Sequence, residues 1–254
     1  NEVSNNVAKQ AVKDACDSYK RFFKGLSGFP KFKSRKKSKP SFYNANDKLK
    51  VKEKLVLIEK VGWIRTSEQI PMNVKYSNPR ITYDNKYWYI SIGIEQGNVI
   101  QELNKDLSIG IDLGIKDLAI CSNNMTFKNI NKSKRVRKLK KRLKRLQRQV
   151  SRKYDNNKIK KGGENCYQYK KTNNIIKLEK EIKLVYRKLS MIRSNHIHQA
   201  TNKIVKTKPS KVVMETLNIQ GMMKNKHLSK AIQEQCWYEF IRQMKYKCKF
   251  NGIE

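Results

Sequence analysis

Acidic residues are scarce in this chain. Only 21 Asp and Glu stand against 58 Lys and Arg in 254 residues, a formal charge of +37. Such an excess makes a compact chain repel itself and draws it to phosphate polymers. Long apolar runs are missing too. None approaches the roughly 18 residues of a spanning helix, and no signal peptide opens the chain, so nucleic acid is the expected polyanion rather than a membrane. Histidines number 3. His196 and His198 lie two apart in a helical stretch and do not share a face, and His227 is isolated, so none is read as a metal ligand. The five cysteines, Cys16, Cys121, Cys166, Cys236 and Cys248, contain no C-x-x-C pair. Their odd count and scatter argue against a disulfide framework and a zinc ribbon within these residues, and a reducing cytoplasm is the simplest setting. At 38% hydrophobic the chain still has material for a core.

Hydrophobic spacing divides the chain. Residues 2–26 place Val3, Val7, Ala11, Ala15, Tyr19, Phe22 and Phe23 at helical intervals, and Gly25, Gly28 and Pro30 end the helix. Lys31 to Lys39 is a basic loop, six Lys/Arg with Phe32 among them. From about 41 to 104 the period falls to two, which predicts a small β-barrel or sheet module. Within it Ile81 to Tyr83, a polar turn at Asp84 to Lys86, and Tyr87 to Ile94 form a hairpin. Trp88 is expected in the core; Tyr87 and Tyr89, on the other face, are candidates for nucleic-acid contact.

Leu107 to Leu113 reads as a strand with Leu107, Ile109 and Ile111 on one face, so Asp112 points the other way with Ser108 and Gly110. Gly114 turns the chain, and 117–121 returns as a second strand. Two helices follow with heptad seams, one through Val136, Leu139, Leu143, Leu146 and Val150, the other through Ile175, Leu178, Ile182, Val185, Leu189 and Ile192. They predict an antiparallel hairpin over about 134–206 with a polar, loose tip. Gly162 and Gly163 in that tip lack a strand-to-helix context and receive no phosphate role. A strand at 211–215, a loop, and a helix from about Leu228 to Phe250 complete the chain. Gly252 reads as a helix stop. Asn1 begins directly in a helical pattern and Ile253 starts an element that does not continue, so a chain cut at both ends is expected.

Two features carry chemistry. Asp112 and Glu215 each end a β-branched strand in a strongly basic chain. Singly, Asp112 reads as a turn cap beside Gly114, and Glu215 as an edge acid paired with a lysine. Together, on neighbouring strands, they would form an oxygen site for magnesium or manganese. Asp117 is better read as a strand-start acid. The second feature is Lys134 to Lys153, with twelve Lys/Arg in twenty residues and no acid. Like charges at i,i+4 destabilise a helix, and a phosphate backbone along it would relieve them and release counterions. The expected contacts are Arg135, Lys138, Arg142, Arg145, Arg148 and Arg152, with Lys31, Lys33, Arg35, Lys36 and Lys37 from the earlier loop.

Ile109-Gly-Ile-Asp-Leu-Gly-Ile-Lys-Asp-Leu-Ala119 resembles the first RuvC motif of the TnpB family, the OrfB-type proteins of insertion sequences, relatives of type V CRISPR effectors. Val212 to Met222 is similar to the second motif, Trp237 to Lys247 to the helix after it, and Phe22 to Phe32 to the segment between helical and β modules. The resemblance implies an α/β plus β fold. The end of a helical recognition module would fill 1–40, a β-barrel wedge module 41–104, and an incomplete RNase H-like RuvC domain with the inserted hairpin 105–254.

It further implies a transposon-encoded, RNA-guided DNA endonuclease with DNA and guide RNA as partners, no small-molecule substrate and a cytoplasmic, nucleoid-associated location. Asp112 would be the first catalytic and metal-binding acid and Glu215 the second, holding Mg2+ or Mn2+. Thr216 stands where the family usually has Asp. The family's zinc segment and third acid have no counterpart in this sequence, so the chain alone is expected to be inactive. A nuclease-dead nucleic-acid-binding protein, a repressor or decayed remnant, is the alternative. A ribosomal-type RNA-binding protein explains the charge but not the paired acids.

Overall fold

A computed structural model describes residues 3–34, 38–95, 97, 101–160 and 167–254. The chain divides into two compact units, Asn1–Gly97 and Asn98–Glu254.

In the first unit, helix α1 (Asn5–Phe23) is capped by the Ser4 hydroxyl, which accepts from Asn6 N, and is released at Gly25 with φ +68°. Among the described residues six strands follow: β1 (Ser41–Tyr43), β2 (Lys50–Lys52), β3 (Leu55–Ile58), β4 (Gly62–Arg65), β5 (Tyr76–Tyr83) and β6 (Trp88–Ile94). They make two antiparallel three-stranded sheets, in the orders β1-β5-β6 and β2-β3-β4. Leu49, Val56, Ile58 and Ile81 fill the core between them, with Phe42, Ile90 and Ile92 against it. The β5–β6 hairpin pairs Ile81 with Ile90 and Tyr83 with Trp88. α1 is tied to β5 by Asp14, whose carboxylate takes two bonds of 2.8 Å from the Arg80 guanidinium.

Trp88 departs from its expected core position. It is 59% exposed, at the first residue of β6, where the core no longer reaches. Its ring leans instead on Tyr83, with centroids 4.9 Å apart.

The second unit is a sheet with helices on one face and a helical arm. The strands β7 (Asn104–Leu113), β8 (Asp117–Cys121) and β9 (Thr126–Lys128) form a meander. The arm consists of α2 (Lys134–Asn156), a two-stranded ribbon of β10 (Lys158–Lys160) and β11 (Tyr167–Tyr169), and α3 (Asn173–Lys206). The ribbon lies where a loose tip was expected. Strand β12 (Pro209–Met214) then pairs with β7, giving the order β12-β7-β8-β9. β12 is parallel to β7 because the long arm serves as the crossover, and a parallel pair requires such a crossover.

Helices α4 (Ile219–Met222), α5 (Ser229–Gln235) and α6 (Trp237–Phe250) follow. The single helix expected from about 228 to 250 is broken, because Cys236 adopts a left-handed conformation, φ 56°. The break lets Gln235 and Trp237, on either side of Cys236, both bury their side chains.

Ile109, Ile111, Leu118 and Ala119 pack the inner face of the sheet against Ile197 and Ile204 of α3 and Phe240 and Met244 of α6. The arm has its own seam, in which Val136 and Leu146 meet Val185 and Leu189 as the heptads predict. After Gly252, Ile253 is buried and Glu254 exchanges backbone hydrogen bonds with Ser210 and Val212 along β12. No described helix is long and apolar enough to cross a membrane.

Candidate metal and nucleic-acid site

The alternation along β7 buries Ile109, Ile111 and Leu113 and leaves Asp112 exposed on the outer face. β12 lies beside it with Val213 opposite Gly110 and Met214 opposite Ile111. One more step in that register sets Glu215 beside Asp112, with backbones separated by about 4.8 Å, the spacing of neighbouring strands. Both acids border the same shallow depression, together with Gly110, Ile120, Ser122 and Val213. The two carboxylates, 103 positions apart in sequence, therefore converge on one face.

That face is open. Ile120 is 48% and Val213 53% exposed beside the acids, an unusual position for large aliphatics on a sheet. Ser122 holds the backbone, its hydroxyl accepting from Gly110 N at 3.0 Å. Cys121 points inward to the core, and burial pushes its thiol up to about 11, so it stays protonated at neutral pH. The outward donors are thus carboxylate and hydroxyl oxygens, the donor type that hard cations such as Mg2+ or Mn2+ take. Among the described residues no group of three acids, histidines or cysteines gathers anywhere.

The turn after Asp112 is clamped from behind. Gln235 is 3% exposed and donates from Nε2 to Gly114 O at 2.9 Å and Ile115 O at 3.1 Å. Asn129 Nδ2 also donates to Ile115 O, at 2.9 Å, and Lys132 Nζ to Lys116 O at 3.0 Å. Sequence reasoning missed Gln235 and Ser122. Ser122 was within reach, since it continues the period-two pattern one step past Cys121; Gln235 gives no local signal.

The expected nucleic-acid contacts on the arm are all exposed. Arg135, Lys138, Arg142, Arg145, Arg148 and Arg152 stand on the surface of α2 away from its buried seam. Arg142 also meets Glu181 of α3 at 3.3 Å, a solvated pair that contributes little. In the first unit Lys31 and Lys33 are exposed. Arg35, Lys36 and Lys37 lie outside the described residues, as do Gly162, Gly163 and Cys166. Tyr87 and Tyr89 are 50% and 42% exposed, and the Lys86 ammonium sits 4.6 Å from the Tyr87 ring centroid.

His196 and His198 have structural surroundings. His196 Nε2 lies 2.8 Å from Lys128 O. Burial lowers the pKa of His198, and the neighbouring Lys247 charge adds to that. Lys247 is itself buried and lowered by desolvation, with its ammonium donating to His198 O and Thr201 Oγ1.

The chain has counterparts among known proteins. The family model of OrfB_IS605, described as "Probable transposase", matches residues 91–226. The chain belongs to this family, the TnpB-type group its motifs resemble. It is 29% identical over 262 aligned positions to a protein of Escherichia coli (strain K12) named "Putative RNA-guided DNA endonuclease InsQ", covering 96% of this chain and 60% of that protein. A Streptomyces pristinaespiralis protein named "Putative RNA-guided DNA endonuclease" is 26% identical over 257 positions, covering 100% of this chain and 59% of its own length. The chain thus spans about three fifths of these relatives. Its fold is similar to that of a protein solved in a Cas12f1–sgRNA–target DNA complex, with TM-score 0.54 and 13% identity, over 98% of this chain and 60% of the other.

Proposed function

We infer that this chain is the RuvC-bearing part of an RNA-guided DNA endonuclease, in which Asp112 and Glu215 are two of the acids of a divalent-metal site. The observation that carries this reading is the parallel register of β7 and β12, which brings two lone acids to one open face. Family membership and the names of both relatives agree with it.

Asp112 and Glu215 would hold Mg2+ or Mn2+ between them. A bound divalent ion supplies Lewis acidity, lowering the pKa of a water and stabilising the leaving oxygen of a phosphodiester. The protein's own contribution is placement. The Gln235 clamp fixes the end of β7, and Ser122 fixes Gly110 two residues before the acid. The α2 surface and the loop at Lys31 and Lys33 would hold the backbones of guide RNA and target DNA. Base pairing would read the sequence, and the protein the shape of the duplex.

The test is magnesium-dependent cutting of guide-matched DNA by the chain completed to the length of its relatives. Cutting should vanish in Asp112→Ala and in Glu215→Ala. Normal cutting by both variants removes the site assignment. A nuclease-dead binding protein is the second reading, favoured by one observation: no third ligand joins the pair among the described residues. It predicts tight nucleic-acid binding with no cleavage by the completed chain.

A further inference from the structure

The ribbon β10–β11 at the end of the arm has no role in the reading above. Its pairing sets Lys158 opposite Tyr169 and Lys160 opposite Tyr167, so these four side chains share one ribbon face. All are exposed. The rings are engaged. The Lys158 ammonium lies 3.7 Å from the Tyr167 centroid, and Tyr169 makes an edge contact with Tyr154, centroids 6.0 Å apart. Tyr154 in turn donates to Glu179 at 2.6 Å, and Lys171 grips the same carboxylate at 2.7 and 2.9 Å. The ribbon is therefore fastened to the helices, and the Glu179 carboxylate of α3 is already paired with Lys171.

The arm also has a direction. β9 runs toward the end of the sheet that carries the acids, with Lys128 paired to Asp117. There His196 touches Lys128 O and Arg193 donates to Asn131 at 2.8 Å. α3 then runs back along the sheet and β12 begins at the opposite end, beside Asn104. Residues 173–192 of α3 therefore project past the acid-bearing edge, for on the order of 30 Å at ~1.5 Å per residue. That is about nine steps of a duplex at ~3.4 Å each.

We propose that the Lys158/Lys160 face of this ribbon is a second nucleic-acid contact, a clamp on the phosphate backbone of a duplex about one helical turn from the two acids. The contact is to phosphate rather than to bases, because the Lys158 ammonium covers the Tyr167 ring and Tyr154 abuts Tyr169, so both rings are already engaged. It rests on reading the arm as a nucleic-acid surface, and does not depend on a metal at Asp112 and Glu215.

Binding of a labelled 20-base-pair duplex and a 20-nucleotide single strand, followed by anisotropy in EDTA across a salt series, tests it. Lys158→Ala with Lys160→Ala should weaken duplex binding on the order of tenfold at 0.1 M salt and reduce the log–log salt slope by about 1.8, two phosphate contacts. Replacing both by arginine should restore the slope. Lys203→Ala with Lys206→Ala, which removes the same charge at the far end of α3, should leave it unchanged. An unaltered slope in the ribbon variant, an equal loss in the control, or a larger loss on the single strand overturns the proposal. EDTA removes divalent ions from the assay, so a failed metal site would not affect the result.

Discussion

Replacing Gln235 by leucine removes the clamp behind Asp112 while keeping side-chain bulk. The hydrogen bonds to Gly114 O and Ile115 O disappear, together with a long one of 3.5 Å to Asp117 O that adds little. Ile115 O keeps its bond from Asn129, so the loss there is one ordinary bond, about 1 kcal/mol. Gly114 O loses this donor outright, which costs about 1–3 kcal/mol. The leucine recovers part of the sum through apolar burial, leaving a net loss of about 2 kcal/mol. Because the chain has two units, one unfolding signal for the whole is not a two-state quantity. The tryptophans solve this: Trp63 and Trp88 lie in the first unit, and Trp237 is 3% exposed in the core of the second. Urea unfolding followed by Trp237 fluorescence in a Trp63→Phe, Trp88→Phe background reads the second unit alone. A change under about 0.5 kcal/mol would refute the clamp, since it would mean that water or a neighbour replaces Gln235 without penalty.

Lys247 is buried with its pKa lowered by desolvation. Between that lowered folded value and the unfolded value of about 10.4, the unfolded chain binds more protons, so stability should rise with pH. Lys247→Met should flatten that rise in urea midpoints measured from pH 8 to 10.5; an unchanged rise contradicts it. Asp14 is lowered chiefly by its hydrogen bonds from Arg80. Its contribution is complete above the unfolded value of about 3.9 and is lost as pH falls through the lower folded value. Asp14→Asn should remove this acid-side loss in the first unit, by a small amount because the pair is about a third exposed. Replacing Lys138, Arg145 and Arg148 together by glutamine should cut the salt slope of duplex binding by about 2.7; an unchanged slope would mean that α2 is only a solvated face.

The sequence disclosed those parts of the fold that repeat locally. Alternation along Leu107 to Leu113 was enough to face Asp112 outward, and the 3,4 spacing of Val136 through Leu146 and of Leu178 through Ile192 was enough to pair the arm. Trp88 was misplaced because alternation says which residues share a face, not where along the strand the core stops. The break at Cys236 was invisible because both halves of the helix keep the same apolar spacing across it. Gln235 could not be foreseen as a clamp, since its partners lie 120 positions earlier. The ribbon was missed because its strands, Lys158-Ile159-Lys160 and Tyr167-Gln168-Tyr169, are three residues each and bury nothing, so no hydrophobic period marks them. The pairing of Asp112 with Glu215 was legible only as a conditional, and the parallel register of β7 and β12 supplied the condition.

The most direct test of the account is Mn2+ binding to the 254-residue chain, read by electron paramagnetic resonance and calorimetry. Asp112→Asn, Glu215→Gln and the double variant are compared with wild type. One ion held by both side chains predicts that either substitution alone removes the bound-ion signal and that the double variant loses nothing further. Wild-type binding in either single variant, or two losses that simply add, would show that these carboxylates do not share an ion.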